Sequence, residues 1–231
     1  HQGQNLLLEA AVIKKLSPGF TLMELLVVLG MLALLVTVGG AAMKDQFSNW
    51  NLRNAANEVL EDLRTAQTEA VKRGDYEART ASGGQRFIQQ NVFVVFNAAA
   101  GSYQAVLWQD DDGDGSSDAT DGNNYPDAGD TYQVLFNGRL PTGFTFNSGP
   151  ATKSACTGSS DINPVGSASV TFSSPGYPPC NGNPCIRFNG HGNLSTIGGN
   201  VYVTNGDKTY AINSLRPGFF RMCWTKGSVW Q

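Results

Sequence analysis

An acidic stretch at residues 110–121, DDDGDGSSDATD, has the residue types and spacing for metal binding. Ca²⁺ prefers several oxygen ligands at alternating positions around a glycine turn, and Gly115 lies where that turn would be. The candidate ligands are Asp110, Asp112, Asp114, Ser116, Asp118 and Asp121. Because an Asp replaces the bidentate Glu usual at the last position, we predict a weak, structural Ca²⁺ site. The alternative is a solvated acidic hairpin tip, since Asp and Gly also favour turns.

Four cysteines lie in the C-terminal half of the chain. An even number of cysteines predicts disulfides if this part of the protein is exported to an oxidising compartment. We favour a bond between Cys180 and Cys185 across the segment CNGNPC, which leaves Cys156 to pair with Cys223. A zinc site is the alternative, but CxxC spacing is missing and His191 is the only histidine nearby.

Motifs for enzymatic catalysis are missing from the sequence. It has no nucleophile elbow, no phosphate-binding loop and no HExxH zinc motif. The closely spaced carboxylates lie in the acidic stretch rather than in an apolar segment that would separate their pKa values. We therefore expect that the protein is not an enzyme.

The C-terminal stretch LRPGFFRMCWTKGSVWQ combines cations with aromatic residues. Its candidate DNA contacts are Arg216, Arg221 and Lys226, because cations attract phosphates and aromatic rings stack on bases. The alternative is a last β-strand whose aromatic residues pack in the core. The net charge of −3 gives no whole-molecule argument for nucleic-acid binding.

The elements that position these candidate residues follow a long apolar segment near the start of the chain. From Phe20 to Met43 the only ionisable side chain is Glu24. A helix of this length reaches roughly 36 Å, enough to cross a hydrocarbon layer of about 30 Å. Lys14 and Lys15 precede it, so the positive-inside rule places the rest of the chain outside the cytoplasm. A carboxylate near the bilayer centre costs roughly 2.5–3.5 kcal/mol, so Glu24 needs a partner or must reach the headgroups.

The stretch SPGFTLMELLVVLGMLALL resembles the signal of type IV prepilins. The resemblance implies that a prepilin peptidase cleaves between Gly19 and Phe20 and that the new N-terminal Phe20 is methylated. It also implies that Glu24 pairs with the amino group on Phe20 of a neighbouring subunit in a helical filament. A carboxylate that is costly in lipid would then set the register of the assembly.

A second stretch, ANEVLEDLRTAQTEAVKRGD at residues 56–75, resembles minor pilins and pseudopilins of the GspH/FimT type. Gln67 stands where that family usually has arginine, and Gly74 where it usually has asparagine. The C-terminal runs resemble the same family, some members of which bind DNA for natural transformation through a basic motif. Only part of that motif is present here, around Arg221.

Periodicity predicts the remaining elements. Beyond the apolar segment, apolar residues recur at steps of three and four and predict an amphipathic helix that ends near Gly74. Its predicted buried stripe is Met43, Phe47, Trp50, Ala56, Val59, Leu60, Leu63, Ala66 and Ala70. Nine short runs of β-forming residues follow, at 91–97, 102–109, 131–137, 143–147, 168–173, 185–190, 200–205, 209–214 and 219–224.

Together these features predict an α+β fold of the type IV pilin kind. In it, a long N-terminal helix, first membrane-spanning and then amphipathic, packs on a C-terminal antiparallel β-sandwich-like domain. The predicted divisions are a removed leader at 1–19, the helix at 20–74 with its transmembrane or filament-core part at 20–43, and an exported domain at 75–231.

The predicted function is that of a minor pilin or pseudopilin subunit in a type IV pilus or type II secretion pseudopilus, acting in filament initiation or at the tip. The expected location is the inner membrane with the C-terminal domain in the periplasm, and the filament after assembly. The alternatives are a DNA-binding minor pilin and a membrane-anchored calcium-binding or ligand-binding module that is never cleaved.

Overall fold

The structure is a computed structural model that describes residues 19–74, 76–81, 84–109, 131–156, 169–172, 179–194, 198–215 and 218–231. The chain divides into two compact units, His1–Gln46 and Phe47–Gln231, and each is described by itself. Helical backbone, named α1, runs over Leu22–Arg73. Its side chains are described almost entirely in two stretches, residues 22–37 in the first unit and residues 46–73, which lie in the second unit apart from Gln46.

The second stretch of α1 buries one face, because its apolar residues recur at helical spacing. The buried side chains are Leu52, Ala55, Ala56, Val59, Leu60, Leu63, Ala66 and Ala70. The predicted stripe is therefore confirmed from Ala56 onward, whereas Met43, Phe47 and Trp50 are more than half exposed. The helix ends at Arg73, and Gly74 follows in the left-handed region with φ 72°, donating its N–H to the carbonyl oxygen of Ala70.

The predicted fold class is wrong. Among the described residues, no helix is both long enough and apolar enough to cross a membrane. The helical stretch with a buried face is 46–73, whereas the side chains of the apolar stretch 22–37 are exposed. The β-structure is antiparallel, and both sheets contribute side chains to the hydrophobic cluster that contains the helical stripe. The predicted long, membrane-spanning helix packed on a sandwich is not the observed arrangement.

The first sheet has five strands, β1 (Tyr76–Ala81), β2 (Gly84–Asn97), β3 (Ser102–Gln109), β4 (Thr131–Arg139) and β5 (Cys185–Phe188). Their order is β1-β2-β3-β4, and β5 also pairs with β2. Alternation along β2 places Val92, Val94 and Phe96 in the cluster with α1. Phe93 and Val95 lie on the other face, in a second cluster with Trp108.

The second sheet has three strands, β6 (Asn200–Thr204), β7 (Thr209–Leu215) and β8 (Phe219–Thr225), paired in that order. The predicted runs at 143–147 and 168–173 do not form named strands in the described residues. They instead make isolated bridges to β6, Thr145 with Thr204 and Val170 with Val201. Strand β1 was not predicted, because its sequence YEARTA has three polar residues and weak β propensity.

A hydrogen bond ties the first sheet to the helix. The hydroxyl of Tyr103 on β3 donates to Asp62 Oδ2 on α1, with an O···O distance of 2.5 Å. Tyr103 is 4% exposed. Its burial, and then the nearby Asp62 carboxylate, raise the pKa of this phenol well above its ordinary value.

We expect stability at alkaline pH to depend on Tyr103. Its pKa is higher in the folded chain than in the unfolded chain, where it is about 10. Its contribution to stability is therefore complete below pH 10 and is lost as the pH rises beyond that value, by up to about 1.4 kcal/mol per pH unit. Urea unfolding between pH 8 and pH 11 should show a shallower decline in Tyr103→Phe than in the unsubstituted chain. Equal slopes in the two proteins would contradict this account, and Tyr202, also buried, is unchanged in both.

Candidate functional site

The apolar stretch at the start of α1 exposes large side chains in every direction around the helix. Thirteen of them are at least 49% exposed, namely Phe20, Leu22, Met23, Leu25, Leu26, Val27, Val28, Leu29, Met31, Leu32, Leu34, Leu35 and Val36. An apolar surface of this extent is far beyond what a soluble monomer leaves open to water. Exposed apolar surfaces of this size are typical of sites that contact a protein partner or a membrane.

A helix cap defines the start of this stretch. Thr21 immediately precedes the first helical residue, and its Oγ1 accepts the backbone N–H of Glu24 at 3.2 Å. The sequence Thr-x-x-Glu is the pattern of a capping box, and Glu24 lies in the first turn, where the helix dipole favours an acid. Gly19 and Phe20, the predicted cleavage and methylation residues, lie just before the cap and are exposed. Glu24 was predicted from the sequence, whereas the capping role of Thr21 was not.

Within the second unit, Gln67 connects the helix to two loops of the C-terminal half. Its Nε2 donates to the carbonyl oxygens of Gly192, at 2.8 Å, and Gly218, at 3.1 Å. Gly218 has φ 110°, and a Cβ there would lie 2.6 Å from Gln67 Nε2. A neutral amide at this position therefore satisfies both carbonyl oxygens.

Two disulfides are present, Cys156–Cys223 and Cys180–Cys185, with the pairing that we favoured from the sequence. The first joins the segment before residue 157 to strand β8, and the second closes the loop that leads into β5. No free cysteine is found among the described residues. His191 is exposed in a turn, where its N–H and that of Asn193 both donate to Asn189 Oδ1.

Comparison with protein-family models, curated proteins and solved structures found no match to this chain.

The six predicted Ca²⁺ ligands, Asp110, Asp112, Asp114, Ser116, Asp118 and Asp121, lie outside the described residues. Where the structure describes the chain, no group of three or more His, Cys, Asp or Glu side chains could hold a metal ion. The Ca²⁺ site therefore stays a prediction from the sequence.

The predicted DNA-contacting cations lie on or near strand β8. Arg221 on β8 and Lys226 just after it are exposed, while Arg216 lies outside the described residues. Of the aromatic residues, Phe220 and Trp224 pack against the main core and Trp230 against the Tyr202 cluster, whereas Phe219 is 71% exposed. Lys208 Nζ lies 3.7 Å from the centroid of the Trp224 ring. Lys208 was not predicted from the sequence, because it lies in the β6–β7 turn and only the pairing of the strands brings it to Trp224. DNA binding stays a hypothesis.

Proposed function

We propose that this chain is a minor pilin or pseudopilin subunit, which acts in filament initiation or at the filament tip of a type IV pilus or type II secretion pseudopilus. The observation that carries the proposal is the exposed apolar stretch 20–36, whose helix is capped by Thr21, two residues after Gly19. In a filament, neighbouring subunits would cover these side chains. Glu24 in the first turn would meet the amino group of a neighbour's Phe20.

The second unit supports an exported location, because disulfides form and persist in oxidising compartments. In this proposal the protein resides in the inner membrane with its C-terminal domain in the periplasm before assembly, and in the filament afterwards. Its partners are a prepilin peptidase and other pilin or pseudopilin subunits. Its role is structural rather than enzymatic, and any Ca²⁺ bound at residues 110–121 would stiffen that segment.

Processing at Gly19 tests the proposal directly. When the chain is coexpressed with a prepilin peptidase, mass spectrometry of the protein should find residues 1–19 removed and a methyl group on Phe20. Gly19→Val should block cleavage, because the peptidase must accommodate this position next to the scissile bond. Gly30→Val is the matched control, since an added Cβ meets no atom within 4 Å at either glycine.

An intact bond between Gly19 and Phe20 in the unsubstituted chain would overturn the proposal. That result would favour the uncleaved, membrane-anchored module instead. Loss of processing in Gly30→Val as well would show that the peptidase responds to the apolar stretch in general rather than to the cleavage residue.

A further inference from the structure

A polar groove crosses one end of the first sheet. Its volume is about 380 Å³, and its walls come from the disulfide loop before β5, from β2, from β3 and from β4. The polar side chains that line it are Asn97, Ser102, Gln104, Asn137, Arg139 and Asn183. Five of them are neutral hydrogen-bonding groups, and Arg139 is the one charged residue of the lining.

Strand register brings these side chains to a single face. Asn97 pairs with Ser102, and Ser102 pairs with Arg139 on the next strand. Gln104 pairs with Asn137 in the neighbouring row. Directly opposed residues of an antiparallel sheet point to the same side, so four of the amide and guanidinium groups converge there.

Local hydrogen bonds hold both ends of the groove. Asn97 Oδ1 accepts the N–H of Ala100 at 3.0 Å, which orders the β2–β3 turn. Asn183 lies within the loop closed by the Cys180–Cys185 disulfide, and its N–H donates to the carbonyl oxygen of Cys180 at 2.8 Å. The Phe96 N–H then donates to the carbonyl oxygen of Pro184 at 2.9 Å, which joins this loop to β2. The groove is therefore already formed in the unbound chain.

Arg139 is available to a partner. It is exposed and has no ion pair in the described part of the chain, whereas Arg64, Lys72 and Arg73 each have a glutamate partner. A guanidinium binds a carboxylate through two parallel hydrogen bonds, and side-chain amides can pair with the peptide groups beside it. A single cation without an exposed aromatic ring gives little affinity for nucleic acid. These features fit an extended acidic peptide.

The chain itself carries an acidic segment in the sequence between β3 and β4. The connection from β3 to β4, residues 110–130, contains eight aspartates and no lysine or arginine. β3 begins at Ser102 beside the groove and ends at Gln109, where the acidic connection starts. Eight residues of strand place these two ends roughly 23 Å apart. Two copies aligned head to tail would bring the acidic connection of one to the groove of the other.

We propose that the groove around Arg139 binds the acidic β3–β4 connection of a second copy of this chain. The contact is heterologous, so it can repeat from copy to copy along one direction. It uses neither Gly19 nor the apolar stretch 20–36, and it therefore stands independently of the proposed processing.

A mixing experiment with two complementary full-length variants tests this contact. The donor copy carries Arg139→Gln, so it offers its acidic connection but has an impaired groove. The receiver copy carries Asp110→Asn, Asp111→Asn, Asp112→Asn and Asp114→Asn, so it keeps the groove but loses half of the acidic charges. Each variant, labelled with a different fluorophore, is held in mild detergent with EGTA and followed by sedimentation velocity.

We expect the mixture to form a complex more tightly than either variant does alone. Adding Arg139→Gln to the receiver should weaken this complex about tenfold or more, because a charge-assisted contact is lost. Lys226→Gln in the receiver is the matched control, since it removes an exposed positive charge outside the groove, and it should change the affinity less than twofold. Association through residues 20–36 is common to all mixtures and cancels in the comparison.

Two results would overturn the proposal. One is a donor and receiver mixture that associates no more tightly than a mixture in which both copies carry Arg139→Gln. The other is equal weakening by Arg139→Gln and Lys226→Gln, which would indicate a response to total charge rather than to the groove.

Discussion

Replacing both cysteines of the Cys156–Cys223 disulfide with alanine should lower the free energy of unfolding by about 4 kcal/mol. The two residues are 67 positions apart, so the crosslink removes many conformations from the unfolded chain. The disulfide also holds the segment before residue 157 against Ala211 and Tyr202 in the second sheet. Circular dichroism of the full chain in mild detergent should show a thermal midpoint lower by about 8–16 °C.

The second disulfide provides the control for this prediction. Cys180 and Cys185 are five positions apart, so the same model predicts a loss of only about 2 kcal/mol when both are replaced with alanine. Equal losses for the two pairs would contradict the loop-length explanation. A loss near zero for Cys156 and Cys223 would show that packing alone holds the second sheet together.

Leu63→Ala should destabilise the second unit by about 2–5 kcal/mol. Leu63 is 1% exposed and lies at the centre of the helical stripe, in the cluster to which both sheets contribute. Shortening it leaves a cavity that neighbouring strands cannot close without losing their own pairing. Urea unfolding of the full chain in detergent should show this as a lower midpoint with an unchanged slope.

Leu35→Ala makes the same chemical change in the first unit and should change the free energy of unfolding of the second unit by no more than about 0.5 kcal/mol. Leu35 is 68% exposed, so truncating it removes no packing inside the molecule. Similar losses for Leu35→Ala and Leu63→Ala would contradict the description of 22–37 as an exposed stretch. The pair of variants therefore separates contacts within the molecule from contacts made with other molecules.

Local pattern predicted the elements well where burial follows a simple period. Clear helical periodicity predicted the buried stripe from Ala56 to Ala70, and the structure confirms it. Clusters of β-branched and aromatic residues predicted strands at 102–109 and 209–214, which the structure also contains. The prediction was wrong at Met43, Phe47 and Trp50, which continue the apolar period but are each more than half exposed. A period shows which residues share a face, but not whether another element packs on that face.

Contacts between residues that are far apart in the sequence could not be predicted from local sequence patterns. Tyr103 and Asp62 are 41 positions apart, and Gln67 is 125 positions from Gly192. Neither contact leaves a signal in local composition. The runs around Thr145 and Val170 read as strands, yet each makes only an isolated bridge to β6. Whether such a run forms a strand depends on a neighbouring strand to pair with as well as on its β propensity.

The sequence by itself determined the apolar stretch, the position of Glu24, the helical stripe from Ala56 onward and most of the strands, and the number and spacing of cysteines favoured the two disulfides that the structure has. These features depend on residue type and short spacing, which any chain with this sequence must carry. Only the tertiary structure decided that the two sheets share one core with the second helical stretch, and that Arg139 lies among amides from four segments with no ion pair to any described residue. Those arrangements depend on register between distant strands, and register is set by the packing of the whole unit rather than by any one segment.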